Sequence, residues 1–256
     1  MRWIRNIGLG LVLIVVVNAC FTPPDFPITP QIEFINNELK FIKNPAPQGN
    51  DTLRIVLKFK DGDGDVGIIP VNPIPLVDRE EYFYLLNSNG QLSLIEKEQS
   101  NLTFRFKRLN PNFRLPNGKP LPELSCDNWS EKKVNNRVVD TIYYELNPRY
   151  YNMSIEYFTK NNNGTFTRFD IKEGRFFPNC ADGAFNGARI PNLSKEIGKS
   201  TPLDGKITFN YLTQGIDFIF SIKTLKLKVY IVDRAGNKSN EVESKEFTLQ
   251  SIRGGG

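Results

Sequence analysis

Apolar and polar residues alternate along this chain far more often than they recur at helical spacing. Over 52–60, Leu53, Ile55, Leu57 and Phe59 share one side, and Arg54, Lys58 and Lys60 share the other. That period of two belongs to a strand with one buried face. Over 224–232, Leu225, Leu227, Val229 and Ile231 oppose Lys226, Lys228 and Tyr230. Over 102–107, Leu102, Phe104 and Phe106 oppose Thr103, Arg105 and Lys107, and over 150–158 Tyr151, Met153, Ile155 and Tyr157 share a face. Weaker strand patterns cover 31–43 (broken at Asn36-Asn37), 81–86, 91–95, 138–146, 165–171, 206–212, 216–222 and 241–250. Asn, Gly and Pro clusters between them supply the backbone conformations of tight turns. No stretch keeps helical periodicity and no internal repeat is present. About a dozen short strands of this kind predict an all-β, antiparallel sandwich or barrel. A transmembrane barrel carries a greasy outer face. Here the outward face of the best strands carries Lys and Arg, which favours a sandwich in water.

The first twenty residues follow a different rule. Arg2 and Arg5 precede an uninterrupted apolar run over 7–17, and Val17-Asn18-Ala19-Cys20 follows. A cationic start, a short apolar run and a small residue before the cut make a secretory signal. The run is too short to cross a bilayer, which takes about 20 residues. Val-Asn-Ala-Cys resembles the lipobox of bacterial lipoproteins. The resemblance implies removal of residues 1–19, acylation of Cys20, and an outer-membrane protein held by lipid, with the periplasmic or outer face left open. An ordinary signal peptide with an incidental Cys is the other reading. Pro23, Pro24, Pro27 and Pro30 make 20–30 a semi-rigid tether. The folded domain is expected over 31–250, with 87–202 as an elaboration and 251–256 as a flexible tail.

Composition then removes whole classes of function. There is no His among the 256 residues, so Ser-His-Asp and Cys-His catalysis and any His-bearing zinc site are excluded. No paired-carboxylate motif stands out, and the expectation is a protein that is not an enzyme. The formal charge of +5 falls to +3 without Arg2 and Arg5. The remaining cations are dispersed rather than blocked, which argues against a nucleic-acid partner. Of three Cys, Cys20 takes the lipid. In an oxidising compartment Cys126 and Cys180 read as one disulfide, with two buried free thiols as the alternative.

Candidate chemistry concentrates at Asp61-Gly62-Asp63-Gly64-Asp65-Val66-Gly67. Three carboxylates at alternate positions repel one another unless a cation neutralises them, and Ca²⁺ takes several oxygens from a flexible loop. The opening resembles the first half of an EF-hand loop, but Val66 and Asn72 stand where that loop needs Gly and Glu. Two readings stay open: a structural calcium loop between strands, and a surface turn whose Asp and Gly suit positive φ. Asp233, in Asp233-Arg234-Ala235-Gly236-Asn237, resembles the turn before the last strand of bacterial immunoglobulin-like domains. It is a candidate fourth ligand or a plain hairpin cap.

Lipobox, tether, "FKDGDGDVG" and "YIVDRAGNKSN" together resemble a group of uncharacterised Bacteroidota outer-membrane lipoproteins with an immunoglobulin-like β-sandwich core. The resemblance supplies place and fold rather than activity. Asp51-Thr52-Leu53 and Asp140-Thr141-Ile142 resemble the O-glycosylated triplets of Bacteroidota exported proteins, making Thr52 and Thr141 candidate sites. The expected function is a non-enzymatic accessory subunit of an outer-membrane protein complex. A glycan-binding lipoprotein using Tyr and Trp129 is the second reading, and a carboxylate hydrolase the third.

Overall fold

The computed structural model describes residues 25–46, 49–125, 128–169, 187–194, 200–213 and 216–254. In chain order its strands begin with β1 (Gln31–Phe34), β2 (Lys40–Ile42), β3 (Asp51–Asp61), β4 (Glu81–Leu86) and β5 (Leu92–Ile95). After a short helix α1 (Phe104–Leu109) come β6 (Trp129–Val134), β7 (Arg137–Leu146), β8 (Met153–Lys160), β9 (Phe166–Phe169), β10 (Gly187–Ala188) and β11 (Leu203–Thr213). A second short helix, α2 (Ile216–Phe220), precedes β12 (Leu225–Ile231) and β13 (Val242–Glu243).

The alternation in β3 organises the first sheet. β11 pairs with β3 along its whole length, antiparallel, from Leu203 opposite Asp61 to Thr213 opposite Asp51. On the other flank β1 and β2 divide β3 between them. In the second sheet β12 pairs with β8 from Leu225 opposite Thr159 to Ile231 opposite Met153. β9 and β10 share the far flank of β8, and β13 lies on β12. The apolar rows of β3, β8 and β12 meet in one cluster that holds Leu53, Ile55, Leu57, Met153, Ile155, Leu225, Leu227, Val229 and Ile231. Two antiparallel sheets packed through these rows make an all-β sandwich. Each such fully buried side chain contributes roughly 1.5–3 kcal/mol.

A third sheet, in the order β5-β4-β7-β6, has cores of its own. Trp129, Tyr143, Leu102, Leu115 and Leu121 bury against one face, and Phe83, Ile142 and Tyr144 against the other. The expected elaboration over 87–202 is therefore bounded differently. The separate sheet runs from β4 to β7, and β8 lies inside the main sandwich.

Four further expectations change. The alternating 102–107 stretch is not a strand but leads into α1: Thr103 Oγ1 accepts the Phe106 N–H at 3.0 Å and caps it. The 216–222 stretch forms α2, where Ile216 and Phe220, one helical turn apart, are fully buried while Phe218 is 73% exposed. A strand would have buried Phe218 with them. The last strand shrinks to β13 because serines replace it. Ser239 Oγ accepts the Ile231 N–H at 3.0 Å and Ser244 Oγ accepts the Leu227 N–H at 2.9 Å. Finally, 251–254 is not a loose tail. Phe41 N–H donates to Ile252 O and Gly254 N–H to Phe41 O, both at 2.9 Å.

One buried group goes unsatisfied within the sandwich. Tyr157 is 1% exposed, stacks on Phe220 at 5.6 Å, and its hydroxyl has no partner among the described residues. Removing a buried unsatisfied hydroxyl relieves a desolvation cost. Tyr157→Phe is expected to stabilise the fold by about 1 kcal/mol, raising Tm by roughly 2–4 °C. A lower Tm in calorimetry would show that the hydroxyl is satisfied in solution.

A candidate cation centre in the Asp61 loop

β3 carries Asp61 out of its own alternation. Leu57, Phe59 and Asp61 share a face, so the strand's final residue is buried like the two before it, and Asp61 is 0% exposed. The chain then turns sharply. Gly64 and Gly67 have φ of +70° and +104°, values L side chains rarely adopt. A Cβ at Gly64 would collide with the carbonyl oxygen of Thr201, and one at Gly67 with that of Pro191. The glycines therefore serve two needs at once, the turn and the close approach of neighbouring backbone.

This turn brings one carboxylate oxygen of each of Asp61, Asp63 and Asp65 within 4.8 Å of the others. Calcium–oxygen distances of about 2.3–2.6 Å put ligands on opposite sides of an ion about 4.6–5.2 Å apart. One ion can thus touch all three. Oxygen-only donors select a hard cation over zinc or copper.

The hydrogen bonding leaves room for it. Asp61 Oδ2 accepts the Val66 N–H at 3.1 Å, and Asp65 Oδ2 accepts the Ala235 N–H at 2.9 Å. Asp61 Oδ1, Asp63 Oδ1 and Asp65 Oδ1 are buried with no partner. Tyr157 Oη is the one other such side-chain atom among the described residues. Buried polar atoms are satisfied in the great majority of cases, so three unpartnered oxygens in one turn make it a candidate site for a cation. Burial pushes the Asp61 carboxyl up to about 6, against the pull of the Val66 N–H, and the Asp63 and Asp65 charges add to the rise. Asp65 is raised as well, by burial first and then by the Asp233 charge. A bound cation reverses that logic by favouring the ionised forms.

Asp233 does not join the group. Its Oδ1 accepts the Asn237 N–H at 2.7 Å and its Oδ2 accepts Asn237 Nδ2 at 2.8 Å. Of the two sequence readings, the hairpin cap is the one its geometry serves. Its hairpin still braces the loop: Arg234 Nη1 donates to Gly67 O at 3.2 Å and to Asn192 Oδ1 at 3.1 Å. The sequence brings this turn to the Asp61 loop through Asp233, whereas Arg234 and Ala235 make the contacts; Asn192 carries no signal in the sequence.

The chain matches no family model, no curated protein and no solved structure. Its function must therefore be argued from its own residues.

Other predicted residues are placed as follows. Cys20, Cys126 and Cys180 lie outside the described residues. Thr52 sits mid-sheet in β3 between Ile42 and Leu212, and Thr141 in β7 lies opposite Glu131; both are half-buried. Trp129 is 4% exposed, edge-on to Phe104 and Tyr143, with its Nε1–H donated to Glu123 O at 3.1 Å. It is a core residue of the third sheet, so the proposed glycan platform loses its tryptophan. Tyr143 and Tyr157 are buried as well.

Proposed function

We propose that this protein is a lipid-anchored, non-enzymatic accessory subunit of an outer-membrane protein complex, with an immunoglobulin-like sandwich held together by a structural calcium ion. The anchor reading rests on the lipobox-like segment ending at Cys20. The observation that carries the rest is the polarity of the sandwich. Residues 25–27, the described end of the tether, meet the acidic loop at Gly62, whose N–H donates to Pro27 O at 2.8 Å. The other end of β3, ten residues and about 33 Å away, carries exposed apolar side chains. Leu212 is 65% exposed, and Phe218 and Ile222, on and just after α2, are 73% and 94% exposed. Lys43 Nζ meets Asp217 at 2.6 Å and holds α2 at that end. Ile28 beside the loop is exposed as well, at 63%, but Leu212, Phe218 and Ile222 lie at the end of β3 away from the tether, which suits a body held out from a lipid surface toward a protein partner.

Two measurements test this. Intact mass of the native protein should show a chain starting at an acylated Cys20, and Cys20→Ala should leave the membrane fraction. Cross-linking in native membranes from a photoreactive group at position 218 should give one discrete adduct that Ile222→Glu reduces several-fold. A chain with no acyl mass, or a smear of adducts indifferent to Ile222, would sink the proposal.

A further inference from the structure

Four stretches of chain meet on the Asp61 loop, and the first of them is the tether. Gly62 lies between two of the three carboxylates. Its N–H donates to Pro27 O at 2.8 Å, and the Phe26 carbonyl fills the space that any Cβ at position 62 would take. The Phe26 ring lies under Lys60 Nζ at 5.0 Å, a cation–π contact. The other three stretches arrive through Thr201 at Gly64, Pro191 at Gly67 and Ala235 at Asp65. The loop is the seat for all of them, and its conformation gathers three carboxylates, Asp61 buried and Asp63 and Asp65 half-buried, whose inner oxygens are buried with no partner.

We propose that the cation at Asp61, Asp63 and Asp65 is a latch that fastens the tether to the sandwich. This rests on the calcium reading above. With the ion bound, the loop keeps the conformation that offers Gly62 N–H to Pro27. With the ion removed, the carboxylates repel, the turn around Gly62 opens, and 25–27 leaves its seat. The consequence is geometric. From Cys20 to Phe26 the chain can span at most about 20–22 Å; from Cys20 to Gln31, the start of β1, it can span about 36–40 Å. Unlatching nearly doubles the leash and frees the body to tilt on the membrane.

The test uses the full lipidated chain in vesicles, with calcium alone as the probe. Calorimetric titration first establishes whether calcium binds. Hydrogen exchange then reads the Gly62 amide, which Pro27 O accepts, with those of β12 as the control for folding. Chelator is expected to speed exchange at Gly62 at least tenfold while β12 stays protected. Asp63→Asn should show that fast exchange with calcium present. By reciprocity, Phe26→Ala, which alters no carboxylate, should weaken calcium binding roughly two- to fivefold. Absence of calcium binding overturns the site and the latch together. Calcium binding with unchanged exchange at Gly62, or with unchanged affinity in Phe26→Ala, overturns the latch and leaves the site standing.

Discussion

Chelation is expected to lower the melting temperature of the wild-type protein, and Asp63→Asn to remove the difference. Binding to the folded state alone stabilises by RT ln(1 + [L]/Kd), about 2.7 kcal/mol at one hundred times Kd. For a domain of this size that corresponds to a shift of roughly 5–11 °C. The effect is large because the ion does two things. It would supply a partner for three buried oxygens, and it would favour the ionised carboxylates against the burial, and then the mutual repulsion, that raise Asp61 and Asp65. Asp63→Asn keeps the size of the side chain but takes away one charge, so the variant should melt above the wild type in chelator and below it in calcium. The pH dependence has a definite sign. Without the cation, Asp61 holds its proton more tightly in the folded chain, up to about 6 from an ordinary 3.8. Its contribution to stability is then complete below about pH 4 and is lost as pH rises through 6. With calcium the carboxyl is held ionised, and protons compete with the ion. The gap between calcium and chelator curves should therefore widen from pH 4 to pH 7. Overlapping curves at pH 7, for wild type and variant alike, would remove the cation centre.

The second large effect lies in the third sheet. Trp129→Ala should cost about 3–5 kcal/mol, the usual range for removing a buried large aromatic. The side chain contacts Phe104 and Tyr143 edge-on and satisfies Glu123 O, so the variant loses both packing and a hydrogen bond. The loss should be local, since the cluster around Trp129 shares no residue with that of the main sandwich. Urea unfolding of the variant, followed by circular dichroism, should split into an early third-sheet phase and a later sandwich phase. The chain has two Trp, Trp3 and Trp129. In protein lacking residues 1–19, wild-type tryptophan emission therefore reports Trp129 alone and gives the reference midpoint for this sheet. One coincident transition with a loss under 1 kcal/mol would mean that Trp129 is not the keystone of a separate core.

The strands that face the sandwich were the readable part of the chain. β3, β8 and β12 each bury a full row on one side and carry charged residues on the other, so their period of two survives in the sequence. The two short helices were misread for a common reason. Over five or six residues an apolar residue at every second position also places pairs four apart, which is one helical turn, and the choice between them is made by neighbours. Thr103 decides the first by capping it, and the burial of Ile216 together with Phe220, whose ring packs on Tyr157 and Phe169, decides the second. The elaboration was misplaced because β8 follows the third sheet in the chain and packs elsewhere. At the acidic loop, the spacing of Asp61, Asp63 and Asp65 announced a carboxylate cluster. Its depth was hidden, because the groups that bury it lie at positions 26–27, 191–192, 201 and 234–235.

The serines beside β12 carry a last consequence. From Leu225 to Ile231 the outer flank of that strand is answered residue by residue. Phe247 exchanges backbone bonds with Leu225, Ser244 and Ser239 use both hydroxyl and main chain, and Val242 faces Val229. Two hydroxyls thus finish a border that two strand residues could not cover. A bare sheet margin invites another chain to dock alongside and start a polymer. A margin closed in this way offers no docking line along β12, and the sheet edges lie elsewhere, β11 among them.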